Sequence, residues 1–420
     1  MRDALLIFWI ATMGADRIDL LGGRGPVTLP PYLVLMPLVV LLEVPALAAM
    51  RRVEFRRAGQ VYLLLAAVLG ALAMASAVWS SEPALSGRRA VLLAFQLLSL
   101  LFVAVVLANR PDPERLLVRG AWLGLAVSFA FNVVQIAVWL DNPSAVGGGV
   151  VDVVPGRFGS LMPRPAGQTV DPNRGGMVFV VFLFILYRFG KPSRARRWAT
   201  AGTVLSLILT LSRSAALGAL GVLGTALLER RRLRITRGRV VGALAAATAG
   251  TLGVVLIPGA SEVLGVILAP FTERFSTRDS GNSLHFQMVE RAFEVAGRSW
   301  KNALIGIGYG NSATVLTDLL PGSKYANFHS IYGTLLAEMG VVALLVALVM
   351  MIYPAVRANP WRPVAVGFLF FNVFYQLVAE PSFWLVLSFA WVGVGERPPT
   401  PAPAVRGAPP PAARANAGSG

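Results

Sequence analysis

The sequence contains no cysteine and only two histidines, and 14% of its 420 residues are charged. The lack of cysteine excludes disulfides, thiol nucleophiles and cysteine-based metal sites. The histidines are His285 and His329, and no carboxylate cluster lies beside either in the sequence, so a bound metal ion is not expected. No Gly-Lys-Ser/Thr phosphate-binding loop occurs, which disfavours an ATPase. We therefore expect no cofactor.

Hydrophobic residues, in contrast, make up 55% of the chain. Several apolar runs are close to 20 residues long, enough for a helix to cross a hydrocarbon core of ~30 Å. The sequence thus predicts an all-α polytopic membrane protein. The net charge of +17 is spread over short loops between these runs. This pattern indicates the positive-inside rule and contact with anionic membrane lipid, and we expect no nucleic-acid partner.

Hydropathy and loop signals predict about twelve membrane-spanning helices in a single transmembrane domain, 1–396, followed by a disordered tail, 397–420. The predicted spans are 4–21, 31–50, 61–79, 90–108, 120–140, 176–189, 198–211, 215–228, 240–258, 331–353, 363–380 and 383–395. Arginine-rich segments follow the sixth span and the eighth span. Both lie inside the cell when the N-terminus is inside, so we predict that both termini are cytoplasmic.

Two long loops are predicted on the outer side, 141–175 and 259–330, the larger one lying between the ninth and tenth spans. Within the larger loop, residues 283–300 carry apolar side chains at helical spacing and predict an amphipathic helix on the membrane or on the helix bundle. The glycine-rich stretch 305–310 is expected to end that helical region.

His329 immediately precedes the apolar run that begins at Ile331, where a helix meets an aqueous loop. An unperturbed imidazole titrates near pH ~6.5 and can act as a general base. The alternative is a helix-end histidine that only hydrogen-bonds at the interface. Glu338 lies about 13 Å further along the helix. It is a candidate to orient His329 or to neutralise an arginine, and helix packing is the alternative.

Five arginines are candidates for binding an anion. Arg213 separates two short spans and offers a guanidinium fork to phosphate oxygens, although it could also reach the lipid headgroups. Arg291 lies on the amphipathic helix, where spacing alone favours a surface ion pair with Glu294. The first outer loop contains Arg157, Arg164 and Arg174, which would either add positive potential for an anionic donor or be solvated.

Several motifs occur in order along the chain: Gly156-Arg-Phe-Gly159 with Pro172-Asn173, Thr210-Leu-Ser-Arg-Ser214, Gly306-Ile-Gly-Tyr-Gly310, and His329-Ser-Ile-Tyr-Gly-Thr-Leu-Leu-Ala-Glu-Met-Gly340. Together they resemble the signature of the O-antigen ligase and polymerase superfamily, over roughly residues 150–390. The resemblance implies a metal-independent glycosyltransferase with a GT-C-type membrane fold.

The same resemblance implies roles for individual residues. Arg213 and Arg291 match arginines that bind a lipid diphosphate, with Arg298 an alternative for the second, and His329 matches the catalytic histidine. Tyr332 joins the three arginines of the first outer loop as a candidate donor contact. Glu338 is assigned to support the site.

The implied reaction transfers a glycan from undecaprenyl diphosphate to a lipid A-core sugar at the periplasmic face of the bacterial inner membrane. The first alternative is an O-antigen or capsule polymerase, whose acceptor is a second lipid-linked glycan. A protein O-oligosaccharyltransferase is disfavoured because the tail is short. A twelve-span secondary transporter is the alternative from another class, but no internal repeat is seen. The identity of the glycan and the oligomeric state are not predicted.

Overall fold

A computed structural model describes residues 1–18, 20, 30–50, 53, 55–141, 152–155, 161–229, 280–319, 327–378 and 380–396. Its α-helices are α1 (Arg2–Ala11), α2 (Pro31–Ala48), α3 (Arg57–Ser76), α4 (Pro83–Ala108), α5 (Pro113–Asp141), α6 (Pro172–Arg188), α7 (Arg194–Thr210), α8 (Arg213–Glu229), α9 (Ser280–Gly297), α10 (Trp300–Ile305), α11 (Ser312–Val315), α12 (Ile331–Val356), α13 (Arg362–Phe371) and α14 (Pro381–Val392). The predicted span 240–258, Arg157 and the tail lie outside the described residues.

Five of the described helices are long and apolar enough to cross a membrane: α2, α3 with a following 3₁₀ turn (Ala77–Trp79), α4, α5 and α12. Two shorter helices, α13 and α14, are also apolar. The prediction of an all-α polytopic membrane protein is therefore confirmed. The finer prediction of twelve spans stays a prediction.

The first predicted span, 4–21, is too long. Helix α1 has ten residues, a rise of about 15 Å, which is half of a hydrocarbon core. It ends because the polar residues that follow bind the backbone of a distant loop. The Asp16 carboxylate accepts a hydrogen bond from Val170 N (2.9 Å), and the Arg17 guanidinium donates to Thr169 O (2.9 Å).

The predicted span 363–380 is also shorter than expected. Helix α13 ends at Phe371, and the Asn372 side chain then accepts a hydrogen bond from Leu377 N (3.1 Å). This bond folds residues 372–378 into turns. Asn and Asp side chains commonly compete with the helix in this way, and an apolar pattern does not reveal it.

Helix α14 lies at the centre of the bundle. All twelve of its residues are buried, and it packs against α3, α4, α12 and α13. A helix that is hydrophobic on every side is expected in such a position, where no face meets water. The interior of the bundle thus holds a short helix that is apolar on every side.

The segment 164–169 was predicted as part of an outer loop, but it is buried inside the bundle. Its backbone is satisfied by amide side chains of α5. Gln135 accepts from Ala166 N and donates to Gly167 O (both 2.8 Å), and Asn132 accepts from Gly167 N (2.7 Å). Non-helical backbone at such depth requires partners of this kind. The segment follows an antiparallel hairpin, Asp152–Pro155 with Leu161–Arg164, which the sequence did not predict.

Helix α9 is the predicted amphipathic helix, and it packs on the bundle against α12. Its apolar side chains Met288, Ala292 and Val295 form a small core with Phe328 and Ala337. The predicted break at 305–310 is also confirmed, because α10 ends at Ile305. The predicted helix 283–300 ends earlier than expected, at Gly297.

Helix α12 is kinked at Gly340, whose φ of 79° and ψ of 179° are not helical. A Cβ at this position would lie 2.1 Å from Leu304 O. Glycine is therefore required here both for its backbone conformation and for the close approach of α10.

Candidate active site

His329 lies at the start of α12 in an unusual backbone conformation. Its φ is +50°, a left-handed value that is uncommon for residues other than glycine. Its backbone N–H donates to Asn327 Oδ1 (2.9 Å), and the next residue, Ser330, donates to Asn372 O (3.3 Å). These bonds hold the imidazole between α12 and the turns that follow α13, and strained residues of this kind cluster at functional sites.

The His329 ring contacts two other rings edge to face. The centroid of the His285 ring, on α9, is 4.2 Å away, and that of Tyr375 is 5.8 Å away. The Tyr375 hydroxyl hydrogen-bonds the side chain of Asp171. Asp171 also caps α6 by accepting hydrogen bonds from Asn173 N (2.7 Å) and Arg174 N (3.3 Å). We call His285, His329, Tyr375 and Asp171 the imidazole cluster.

The environment of His329 keeps its side chain neutral. Burial first and the nearby His285 second lower the pKa of His329 from 6.5 to about 4, and this value includes an opposing effect of the Asp171 carboxylate. The Nδ1 atom is buried, and no group in the described part of the chain hydrogen-bonds it. A neutral imidazole can accept a proton across the physiological pH range.

Arg213 is half-buried at the first residue of α8. Helix α8 packs closely against α13, where a Cβ on Gly367 would lie 2.7 Å from Gly218 O. The hydroxyl of Ser214 donates to Phe374 O (3.3 Å), and Phe374 precedes Tyr375 of the imidazole cluster. The residue next to Arg213 thus hydrogen-bonds the residue next to Tyr375, and Tyr375 contacts His329.

Arg291 is half-buried on α9 and pairs with two carboxylates. It forms the predicted ion pair with Glu294 (3.2 Å) and a second pair with Asp318. Its neighbour Ala292 packs against Gly333, one turn into α12. Arg298, the alternative, lies beyond the end of α9 and is exposed.

The other candidate donor contacts are held by the protein. Arg164 is buried and donates to Thr210 O (2.9 Å) at the end of α7, so it borders the turn before Arg213. Arg174 pairs with Asp16 and Glu380, each at 2.6 Å, and these carboxylates compensate its charge. Tyr332 donates to Leu369 O (2.9 Å). The interpretation of Arg164 and Arg174 as solvated residues is therefore wrong.

Glu338 does not contact His329 but supports the glycine-rich loop. Its carboxylate accepts hydrogen bonds from Gly310 N (2.8 Å) and Ser312 N (2.9 Å). Its carbonyl oxygen accepts from Gly308 N (2.9 Å). The residue is 2% exposed, so its side-chain oxygens are the acceptors of these buried amides and no water replaces them.

We expect Glu338→Ala to lower the folding stability strongly, because it leaves two buried amide groups without a partner. Each unpaired group costs about 1–3 kcal/mol. Glu338→Gln keeps one acceptor oxygen and should cost less. The measurement is the Tm of purified protein in detergent, with the exposed Glu290→Ala on α9 as control. A Tm for Glu338→Ala equal to that of the control would contradict this role.

Sequence reasoning missed three members of the imidazole cluster. His285 was considered only as a metal ligand, and Tyr375 was placed inside a predicted span. Asp171 directly precedes the motif residues Pro172 and Asn173 but is not singled out by the sequence. The one signal for His285 was that the chain has only two histidines. When one of them is a candidate base, the other is worth considering for the same site.

Residues 198–348 match the family model described as O-antigen ligase. Over these residues the chain is similar to the O-antigen ligases. This confirms the superfamily that the motifs indicated, and the matched region contains Arg213, Arg291, His329 and Glu338. It covers about a third of the chain and runs from α7 into α12. No curated protein matches the chain.

Among the described residues, no group of three histidine, cysteine or acidic side chains is placed to hold a metal ion. The groups beside His329 are the imidazole of His285, the phenol of Tyr375 and the carboxylate of Asp171. Imidazole, phenol and carboxyl groups can exchange protons.

Proposed function

We propose that the protein is a metal-independent, inverting glycosyltransferase of the O-antigen ligase type. It transfers a glycan from undecaprenyl diphosphate to a sugar of the lipid A core. The observation that carries the proposal is the neutral, buried His329 at the end of the family-matched segment. A neutral imidazole in a desolvated site is suited to take a proton from an attacking hydroxyl.

In the proposed reaction, a hydroxyl oxygen of the acceptor sugar attacks the anomeric carbon of the donor. His329 accepts the hydroxyl proton as the new C–O bond forms. The bond from the anomeric carbon to the diphosphate breaks, and the electron pair leaves with the lipid diphosphate. Attack opposite the leaving group inverts the anomeric centre. The donor itself supplies the energy, so no nucleotide is needed.

Arg213 is proposed to stabilise the charge on the leaving diphosphate. Its guanidinium lies at the N-terminus of a 17-residue helix, where the helix dipole also favours an anion. The fork of the guanidinium matches two phosphate oxygens. Both effects act on the same developing charge.

Arg291 is proposed to be the second diphosphate ligand. To bind the donor, its guanidinium must leave its ion pairs with Glu294 and Asp318. Asp318 is 56% exposed, so water can solvate its carboxylate when the arginine turns to the donor. An exposed pair of this kind contributes at most about 1 kcal/mol. The stronger interaction with a diphosphate can therefore displace it.

We propose that the reaction takes place on the periplasmic side of the inner membrane of a bacterium. The proposed domain comprises residues 1–396 and has a GT-C-type fold with twelve spans and both termini in the cytoplasm. In this topology the His329 end of α12 faces the periplasm. Supporting this orientation, the arginine cluster 188–197 lies at the opposite end of α6 from Asp171.

A polymerase is the second candidate. The family match is compatible with either acceptor, a lipid A core or a second lipid-linked glycan. The ligase is preferred because the ordered set of Arg213, Arg291 and His329 resembles the ligases.

A secondary transporter is less well supported. The polar residues at membrane depth that would suit one are engaged in separate structural contacts. Glu380 pairs with Arg174, Gln135 holds the segment 164–169, and Glu338 holds the glycine-rich loop. A transporter requires such groups to converge on one substrate site.

The test is a reconstituted transfer assay. Purified protein in buffer with EDTA is supplied with an undecaprenyl diphosphate glycan and either a lipid A core or a second lipid-linked glycan. We expect a product with the lipid A core, and the same rate without EDTA. Product only with the second glycan would establish the polymerase, and no product with either would overturn the proposed function.

A further inference from the structure

The proposed reaction requires His329 to become positively charged where a positive charge is unfavourable. The imidazole is largely buried, and the ring of His285 lies 4.2 Å away. Burial penalises the charged form of any group, and a second basic ring adds to that penalty. A base in this position needs a negative charge nearby that is present before the proton arrives.

Asp171 is the carboxylate that fits this requirement. It is close enough to His329 to raise the pKa of the imidazole. Its side chain is fixed from two sides, by the amides at the start of α6 and by the hydroxyl of Tyr375. Tyr375 is 7% exposed, and its ring packs edge to face against His329. The carboxylate therefore cannot move away from the imidazole without breaking the cap of α6.

The neighbouring carboxylates are already committed elsewhere. Asp16 and Glu380 both bind Arg174, one turn into α6. Glu338 binds the amides of the glycine-rich loop. The groups that face His329 are thus His285 from α9, Asp171 from the segment before α6, and Tyr375 from the turns after α13.

We propose that Asp171 is a positioning residue, linked to His329 through Tyr375, that stabilises the imidazolium formed when His329 takes the proton of the acceptor hydroxyl. This deepens the proposed function and rests on it. The proton of the acceptor hydroxyl resides on the imidazole. Tyr375 fixes the ring and the carboxylate relative to each other. The chain uses one side chain both to cap a helix and to balance a transient charge.

The variant that tests this is Asp171→Asn. Asparagine caps a helix about as well as aspartate and still accepts a hydrogen bond from Tyr375, so only the charge is removed. The chain offers a matched control at the far end of the bundle. Asp112 also precedes a proline and accepts a hydrogen bond from a backbone amide of the following helix, Arg115 N (3.3 Å). Asp112→Asn makes the same change at a site remote from His329.

We expect kcat of Asp171→Asn to fall severalfold, by up to about tenfold, because each unit by which the pKa of the base falls costs up to a factor of ten. The KM for the lipid-linked donor should stay within about twofold, since the donor is held by arginines. Asp112→Asn should leave both constants unchanged. Unchanged kcat in Asp171→Asn, or equal losses in both variants, overturns the proposal.

A second measurement does not depend on transfer. In the His285→Gln background His329 is the only histidine, so NMR can follow its imidazole from about pH 3 to pH 8. Adding Asp171→Asn should lower the pKa of His329, because the carboxylate favours the imidazolium. An unchanged titration overturns the proposal. If Asp171→Asn fails to fold, Tyr375→Phe in the same background releases the carboxylate from the ring, and an unchanged titration there overturns it equally.

The transfer assay and the NMR titration of His329 together distinguish a failure of this proposal from a failure of the proposed function. A native protein that transfers no glycan to either acceptor refutes the proposed function, whatever the titration gives. A protein that transfers glycan, but whose His329 titration is insensitive to Asp171, keeps the proposed function and refutes the role of Asp171.

Discussion

His329→Ala is expected to reduce glycan transfer by about 10²–10⁴-fold, the usual contribution of a general base. The donor should still bind, because its diphosphate is held by Arg213 and Arg291 and not by the imidazole. The measurement combines three readouts on one preparation: folded yield, affinity for the undecaprenyl diphosphate glycan, and the rate of transfer. Normal yield and donor affinity with almost no product would support the base.

The matched control is His285→Ala, which removes the only other imidazole of the chain. It should lose much less activity, because His285 contacts His329 but is not the proposed base. A His329→Ala protein that folds and turns over at a near-native rate would end the hypothesis. A protein with low folded yield would instead indicate a structural role for the strained residue.

The pH dependence of transfer should follow the shifted pKa of His329. The sequence alone predicts a rate that rises through the ordinary imidazole pKa near ~6.5. Since the pKa of His329 is lowered to about 4, the neutral base is already fully populated above about pH 5, and kcat/KM should be flat from there to pH 8. The diphosphate of a bound donor favours the imidazolium, so the acid limb of kcat should lie at a higher pH than that of kcat/KM.

Arg213→Ala is the second variant with a large expected effect. Removing a charge-assisted donor from a leaving group should reduce kcat by about 10²–10³-fold, by analogy with oxyanion donors. Arg213→Lys should lose less, because it keeps the charge but not the fork. The measurement is kcat for both variants at equal expression. Equal activity of the alanine and native proteins would contradict a role in transfer.

Measuring kcat of alanine variants also decides whether Arg291 or Arg298 acts on the donor. Arg291→Ala should be impaired to a similar degree, and the exposed Arg298→Ala serves as its control on the same surface. If Arg298→Ala is inactive while Arg291→Ala is active, the assignment is wrong. In that case the ion pairs of Arg291 with Glu294 and Asp318 are its entire role.

The sequence by itself determined the features that depend on local pattern. Long apolar runs indicated a helical membrane protein, because crossing a hydrocarbon core needs that length whatever the neighbours are. The spacing of Met288, Ala292 and Val295 indicated α9, and the glycines after Ile305 indicated the end of the helical region at α10. The ordered motifs indicated the superfamily that the family match confirms. The catalytic roles of Arg213, Arg291 and His329 stay predictions.

Only the tertiary structure decided how the polar residues are paired. Nothing local shows that Arg174 is neutralised by Asp16 and Glu380, since the three lie on separate helices or beside them. Helix α1 is short because Asp16 and Arg17, which follow it, bind the backbone of a segment that comes much later in the chain. Tertiary partners override an apolar pattern in such cases, because a buried polar group costs more than a shortened helix.

The imidazole cluster is the clearest case. Its members come from α9, the start of α6, the start of α12 and the turns after α13. Three of them, His285, Tyr375 and Asp171, are not distinguished in their own stretches of sequence. The pKa of His329 follows from burial and neighbours that only folding supplies. The sequence determined which residue types the site contains. The packing of four separate segments decided their distances, and distances and burial set the electrostatics of the base.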